Sequence, residues 1–242
     1  MLLDHIYQFL YMYNVPLVFT LVGRVVAPIF LFLATESFFY TRSRIRYMLK
    51  LYVGFLIMAS ANMYINRYFG LVKVNLYNNV FATLFLTTFI IYIIEGFINS
   101  IKNKSFIGVL KYILLLSIPV VTKLFFMLSN DVDSLFIYRV YLLVVFPIAP
   151  YVEGGYLFLL LGVALYYLRK NRILQVLAII VASLPDFYNG SYQCLMVFSA
   201  IFILLYNGEK GRGMKWLFYI FYPVHIYLLY ALSYFMQVYL NI

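Results

Sequence analysis

The chain has 242 residues, of which 66% are hydrophobic, 21% aromatic and only 11% charged, with a formal net charge of +10. A soluble domain carries about a quarter charged residues, so a fold stable in water is excluded. The positive charge does not describe a nucleic-acid surface either. Thirteen of the 18 Lys and Arg fall in four short stretches, 42–50, 102–111, 169–172 and 210–215 (four, three, three and three). The positive-inside rule distributes charge in this way between cytoplasmic loops.

In chain order, apolar segments run over 2–13, 16–40, 47–69, 79–98, 107–128, 135–149, 155–168, 173–185, 192–206 and 216–239. Apolar side chains surround each segment rather than alternating along it, which argues for helices over the strands of a barrel. Ten crossings would put 169–172 and 210–215 on the opposite side from 42–50 and 102–111, against the charge rule. The conflict disappears if 135–168 crosses once, broken at Pro147, Pro150, Gly154 and Gly155. The expected fold is therefore an all-α, polytopic transmembrane bundle of about nine crossings. It has one or more broken or re-entrant segments, a cytoplasmic N-terminus and a single domain over 1–242. No basic n-region or small-residue cleavage site marks a cleavable signal. The single cysteine, Cys194, leaves no internal disulfide and no cysteine metal cluster, and no metal site is expected.

Ionisable groups are costly inside a bilayer and therefore informative. The two histidines, His5 and His225, both lie in apolar surroundings. Asp4, Arg24 and Glu36 are near His5 in sequence, and Lys123, Arg139 and Glu153 form a second set. A buried charge needs a partner, so Arg24 is expected to pair with Asp4 or with Glu36. Successive residues on a helix do not share a face, so Asp4 is not expected to orient His5. A helix from Met1 to Tyr13 rises only about 20 Å. That leaves Asp4 and His5 either on an unusually short first helix or at a thinned cytoplasmic rim.

Three stretches together resemble the TraX family of integral-membrane acetylases, named for a protein that acetylates the N-terminus of conjugative pilin. They are LLDHI at 2–6, VGRVVAPIFLFLATESFFYTRSRIRYMLKL at 22–51 and LYNGEKGRGMKWLFYIFYPVHIYL at 205–228; Asn79-Val80-Phe81 with Thr83 is a weaker fourth. The family is similar to a wider group of transmembrane acyltransferases, including bacterial cell-surface sugar O-acetylases and the lysosomal heparan glucosaminide acetyltransferase. The resemblance implies an enzyme that takes acetyl-CoA from the cytoplasm and acetylates an amine or hydroxyl of a peptide or glycan acceptor. It implies a multi-pass protein of the bacterial inner membrane, with His5 of the first helix as general base.

Such a transfer needs a base and a stabiliser for the oxyanion. Arg24 or the Tyr222 hydroxyl would serve as stabiliser, with Asp4 beside Arg24 and His225 as a second proton carrier or a structural donor. Glu36 remains a further candidate. The phosphates of CoA suit Arg42, Arg44, Arg46, Lys210 and Arg212, although topology and anionic lipid explain the same charges. Asn207, Gly208 and Gly211 would form a turn that either holds an anion or caps a helix. Two other classes stay open: a lipid or small-solute transporter with the buried charges as proton relay, and a non-catalytic assembly factor.

Overall fold

The computed structural model describes residues 1–71, 74–128, 142–209 and 215–239. Among these the regular structure is helical: α1 (Leu2–Leu10), α2 (Val18–Gly23), α3 (Val26–Tyr40), α4 (Arg44–Tyr68), α5 (Val80–Lys102), α6 (Phe106–Leu128), α7 (Gly155–Tyr167), α8 (Arg172–Tyr188), α9 (Ser199–Leu204) and α10 (Lys215–Tyr239). Five stretches are long and apolar enough to cross a bilayer: Val18–Tyr40, Arg44–Tyr68, Val80–Lys102, Phe106–Leu128 and Leu217–Tyr239. Gly155–Tyr167 and Tyr192–Leu204 are shorter apolar helices. The all-helical, multi-pass membrane character read from composition is therefore present. Residues 135–141 of the expected segment 135–149, Arg139 among them, lie outside the described residues. Further on, a 3₁₀ turn at Ala149–Tyr151 and positive φ at Gly154 and Gly155 interrupt the backbone, in keeping with the expected break. The segment 16–40, expected as one helix, is divided into α2 and α3 by a turn at Arg24.

The chain forms two compact units, each assembled from separated pieces. The unit made of Ala34–Ser60 and Asn79–Tyr166 is centred on α5, where thirteen residues are buried. Small residues let α6 lie close against α5: a side chain added at Gly96 would overlap the Tyr112 ring, and one at Gly108 would overlap Ser100. The remaining surface of α6 is apolar and open, and none of its residues is buried. That is the expected state of a helix facing hydrocarbon.

Two polar clusters brace this unit. The Asn79 N–H at the start of α5 donates to Glu153 Oε1 at 2.7 Å, and the Thr83 hydroxyl donates to the Glu153 carbonyl at 2.9 Å. Glu153 thus brings a carboxylate to the positive end of α5 and answers one of its orphan amides. Lys123, grouped with Glu153 by sequence, lies with Nζ 5.2 Å from the Tyr156 ring centroid. Arg44 pairs with Glu95, donates to the Tyr166 hydroxyl at 3.0 Å, and stands over the Phe38 ring. Tyr166 closes the cluster by donating to Glu95 Oε1 at 2.6 Å.

The other unit comprises Met1–Leu33, Ala61–Asn78 and Tyr167–Ile242. Here the irregular strip that follows α4 runs through apolar surroundings, with Leu76 fully buried. Backbone polar groups inside a bilayer need internal partners, and side-chain amides and phenols supply them. Asn66 both donates to the Leu76 carbonyl (2.9 Å) and accepts from its N–H (3.1 Å). Asn62 donates to Asn78 O, and the Tyr230 hydroxyl donates to Phe69 O. Gln8 and Asn78 exchange a reciprocal pair of amide bonds, each 2.9 Å.

The Asn66 clamp yields a test. Asn66→Ala leaves both polar groups of a buried residue unpaired, which costs about 2–3 kcal/mol. The variant should melt well below wild type in detergent, whereas Leu160→Ala on an exposed face should not. Superimposable melting curves for Asn66→Ala and wild type would show that the clamp does not hold the strip.

Candidate functional site

The site is built around α1, a helix of nine residues and so only about 14 Å long. Adjacent residues on it point about 100° apart, and the two polar ones are used in different directions. Asp4 faces α2. Its Oδ1 accepts from the Thr20 hydroxyl at 2.6 Å and lies 3.4 Å from Arg24 Nη2. Arg24 also donates to Thr20 Oγ1 (2.7 Å) and to Gln193 Oε1 (3.2 Å). Its Nε is buried with no hydrogen-bond partner among the described residues. Of the two carboxylates expected for Arg24, it is Asp4 that pairs with it. Glu36 is buried in the other unit.

Gly23 makes the Asp4 pairing sterically possible. A Cβ on Gly23 would overlap the Asp4 side chain, so α2 approaches α1 only because position 23 has none. The Gly-Arg dipeptide singled out in the sequence thus combines a close approach with the cation that uses it.

His5 faces α10. Its Nδ1 is 2.7 Å from Nε2 of His225, and the two rings stack with centroids 5.0 Å apart. His225 Nδ1 lies 2.6 Å from the carbonyl oxygen of Phe221, one turn earlier. Tyr222, fully buried, turns its ring edge-on to both imidazoles at 6.0 and 5.7 Å. Phe9 adds a further ring beside His5 and meets Tyr230 of α10 at a right angle. His5 and His225 are each only 5% exposed.

The first helix is the short one that the sequence allowed. His225 lies ten residues into α10, which begins at Lys215, a rise of about 15 Å. His5 is in contact with it and enclosed by aromatic rings, while on the other side of α1 the Asp4 partners Thr20 and Arg24 belong to the short α2, which Arg24 caps.

The phosphate candidates are arranged differently. Arg42 and Arg46 are exposed at the start of α4, while the guanidinium of Arg44 is engaged by Glu95 and Tyr166. Asn207 and Gly208 form a tight turn, with Gly208 at φ 77°. The Asn207 side chain accepts from the Glu209 N–H and donates to the Glu209 carboxylate, so an acidic group sits at that turn. Lys210, Gly211 and Arg212 lie outside the described residues. Arg172, at the start of α8, stands between the rings of Phe32 and Tyr206, 5.1 Å from each centroid.

Sequence reasoning passed over Thr20, Gln193, Gln8 and Glu95. Thr20 had a signal, since it precedes Arg24 by four residues and shares its helix face. Gln193 is 169 residues away from Arg24, and no local spacing announces it. Among the described residues, no three His, Cys, Asp or Glu come together as metal ligands would.

The glycine contact can be tested. Gly23→Ala should push α1 from α2 and destabilise the protein by about 1–3 kcal/mol, the usual scale of overpacking, read as a lower melting temperature in detergent. It should also weaken the Asp4–Arg24 pair, so Asp4→Asn should cost less in the Gly23→Ala background than in wild type. Strictly additive effects would mean that the two positions are uncoupled.

Comparison with curated proteins gives no match. Comparison with solved structures gives none either. A protein-family model described as TraX protein matches residues 1–233. With nearly the whole chain covered in one match, and with its Asp-His, Gly-Arg and Phe-Tyr-Pro-x-His elements gathered around α1, the protein belongs to the TraX family.

Proposed function

We propose that this TraX-family protein is an integral-membrane acetyltransferase. It moves an acetyl group from cytoplasmic acetyl-CoA to an amine or hydroxyl of a peptide or glycan acceptor, in the membrane or on its far side. The observation that carries the reading is a histidine held inside an apolar helix pair with one ring nitrogen free. Nδ1 of His5 is engaged by His225, and Nε2 has no partner among the described residues. A positioned imidazole with a free nitrogen suits general-base catalysis.

Two further features support it. Arg24 keeps an unengaged Nε–H, the kind of preorganised donor that stabilises a developing oxyanion. Its Asp4 partner on α1 places that donor on the same short helix system as His5. On the cytoplasmic side, the exposed Arg42 and Arg46 offer forked donors to the phosphates of CoA.

In the reaction, His5 takes the proton of the acceptor as its nitrogen or oxygen bonds to the acetyl carbon. The carbon–sulfur bond then breaks, and the departing thiolate receives that proton. The bilayer assigned is the bacterial inner membrane, crossed about nine times with α1, α2–α3, α4, α5, α6, a broken segment ending in α7, α8, the 3₁₀ helix Tyr192–Phe198 with α9, and α10. The N-terminus and the four basic stretches face the cytoplasm.

His5→Ala should lower acetyl transfer by about two to four orders of magnitude, measured as CoA thiol released from acetyl-CoA by purified protein. Burial among aromatic rings means that the variant also loses stability, so folding is checked by gel filtration and melting temperature. A folded His5→Ala protein with wild-type turnover would sink the assignment. No thiol release by wild type with any peptide or glycan acceptor would favour the transporter reading.

Arg42→Gln with Arg46→Gln should weaken acetyl-CoA binding, most clearly at low salt, where exposed charges are least screened. Lys102→Gln with Lys104→Gln should not, and equal losses from both pairs would point to lipid or topology instead. For topology, single cysteines at Lys170 and Glu209 in a Cys194→Ala background should be labelled only from the cytoplasm, and one at Tyr77 only from outside. Outside labelling at Lys170 would overturn the nine-crossing arrangement.

A further inference from the structure

We infer that His225 is a positioning residue that holds His5 in a single tautomer, with the proton on Nδ1 and the lone pair on Nε2. The inference begins at a backbone atom. The carbonyl oxygen of Phe221 only accepts hydrogen bonds, so the 2.6 Å contact from His225 Nδ1 requires a proton on that nitrogen. A neutral imidazole carries one N–H, and Nε2 of His225 is therefore an acceptor. The 2.7 Å contact between His225 Nε2 and His5 Nδ1 then needs its proton from His5. That leaves Nε2 of His5 bare.

The order of donors is thus His5 to His225 to Phe221 carbonyl, and each ring's tautomer is set by the acceptor beyond it. The geometry leaves little freedom to reverse it. Phe221 stacks on His225 at 4.7 Å, and Tyr222 stands edge-on to both imidazoles. The carboxylate nearest in sequence is turned elsewhere: Asp4 is bound to Thr20 and Arg24. The chain therefore orients its first-helix histidine by a second histidine rather than by a carboxylate. This also gives the Phe-Tyr-Pro-x-His close a physical content. A helical i,i+4 step carries the His225 ring back to the Phe221 carbonyl, and Pro223 between them brings no N–H to the preceding turn.

For catalysis the inference rests on the proposed acetyl transfer. When His5 Nε2 takes the acceptor proton, its Nδ1–H faces a neutral His225 acceptor, which stabilises the imidazolium without removing its proton. Nε2 then returns that proton to the thiolate of CoA as the carbon–sulfur bond breaks, and the starting tautomers are restored. No further oxidant, base or metal enters the balance.

The chain has only two histidines, so nitrogen NMR of protein labelled with ¹⁵N-histidine reads the pair directly, independently of any activity. At neutral pH the wild type should show both rings neutral, each with Nδ1 protonated and Nε2 bare. In His225→Phe, which keeps an aromatic ring but removes the acceptor, the His5 signals should shift toward the Nε2–H tautomer. In His225→Gln, whose amide oxygen accepts, they should stay as in wild type. Turnover with acetyl-CoA should follow the tautomer: kcat falls roughly 100-fold or more in His225→Phe, recovers largely in His225→Gln, and KM for acetyl-CoA is unchanged in both. A wild-type spectrum with His5 protonated on Nε2 overturns the assignment whatever the activity. So does unchanged kcat in His225→Phe, or a His225→Gln protein as slow as His225→Phe with the wild-type tautomer retained. The expected wild-type spectrum from a protein that never consumes acetyl-CoA would uphold the tautomer and defeat the acetyl-transfer reading alone.

Discussion

A helix of nine residues is too short to span a bilayer unaided, and α1 keeps its place through what it is bonded to. Within its unit it has a polar attachment on each side: Asp4 to Thr20 and Arg24 on one, His5 to His225 on the other. Two groups that are costly in hydrocarbon are thereby satisfied by each other. The same bonds that make the short helix tolerable also fix an imidazole on one side of it and a guanidinium on the other. On the proposed reading, stability and chemistry share these residues, which is why substitutions at Gly23, Asp4 or His5 are expected to affect both.

In the unit that contains α1, the strip that follows α4 shows how irregular backbone is met in apolar surroundings: nearby amides and a phenol bond to it. Asn66 and Asn62 do this from the end of α4 and Tyr230 from α10, while Gln8 of α1 holds the Asn78 side chain. Neutral side chains suit the task because their desolvation is far cheaper than that of ions. Among its described residues, the other unit uses an ionic cluster, Arg44 with Glu95 and Tyr166, and a carboxylate at a helix start, Glu153. Seen this way, Arg44 is a brace, and the exposed Arg42 and Arg46 are the better placed of the three to meet a soluble phosphate ligand.

Much of the architecture was legible along the chain because its signals are local. Apolar runs, basic turns, and the prolines and glycines at 147–155 act within a few residues of where they occur. The direction of Asp4 away from His5 was legible for the same reason, since helical geometry separates successive side chains. The site was legible only in part. Both histidines were singled out as rare ionisable groups, yet nothing in a spacing of 220 residues said that they touch.

Sequence alone determined that this chain lives in a membrane, that its regular structure is helical, and which few polar residues are too costly there to be incidental. Composition and periodicity suffice for that, because every segment separately meets the same apolar solvent. Tertiary structure alone decided which of those residues face one another. Gly23 lets α1 close on α2, α10 brings a proline-bearing turn against the first helix, and Glu95 takes the guanidinium of Arg44. Such pairings depend on the packing of distant helices, and hydrogen-bond direction depends on the last acceptor in line. The tautomer of His5 is thus set by a backbone carbonyl 216 residues further along the chain, at Phe221.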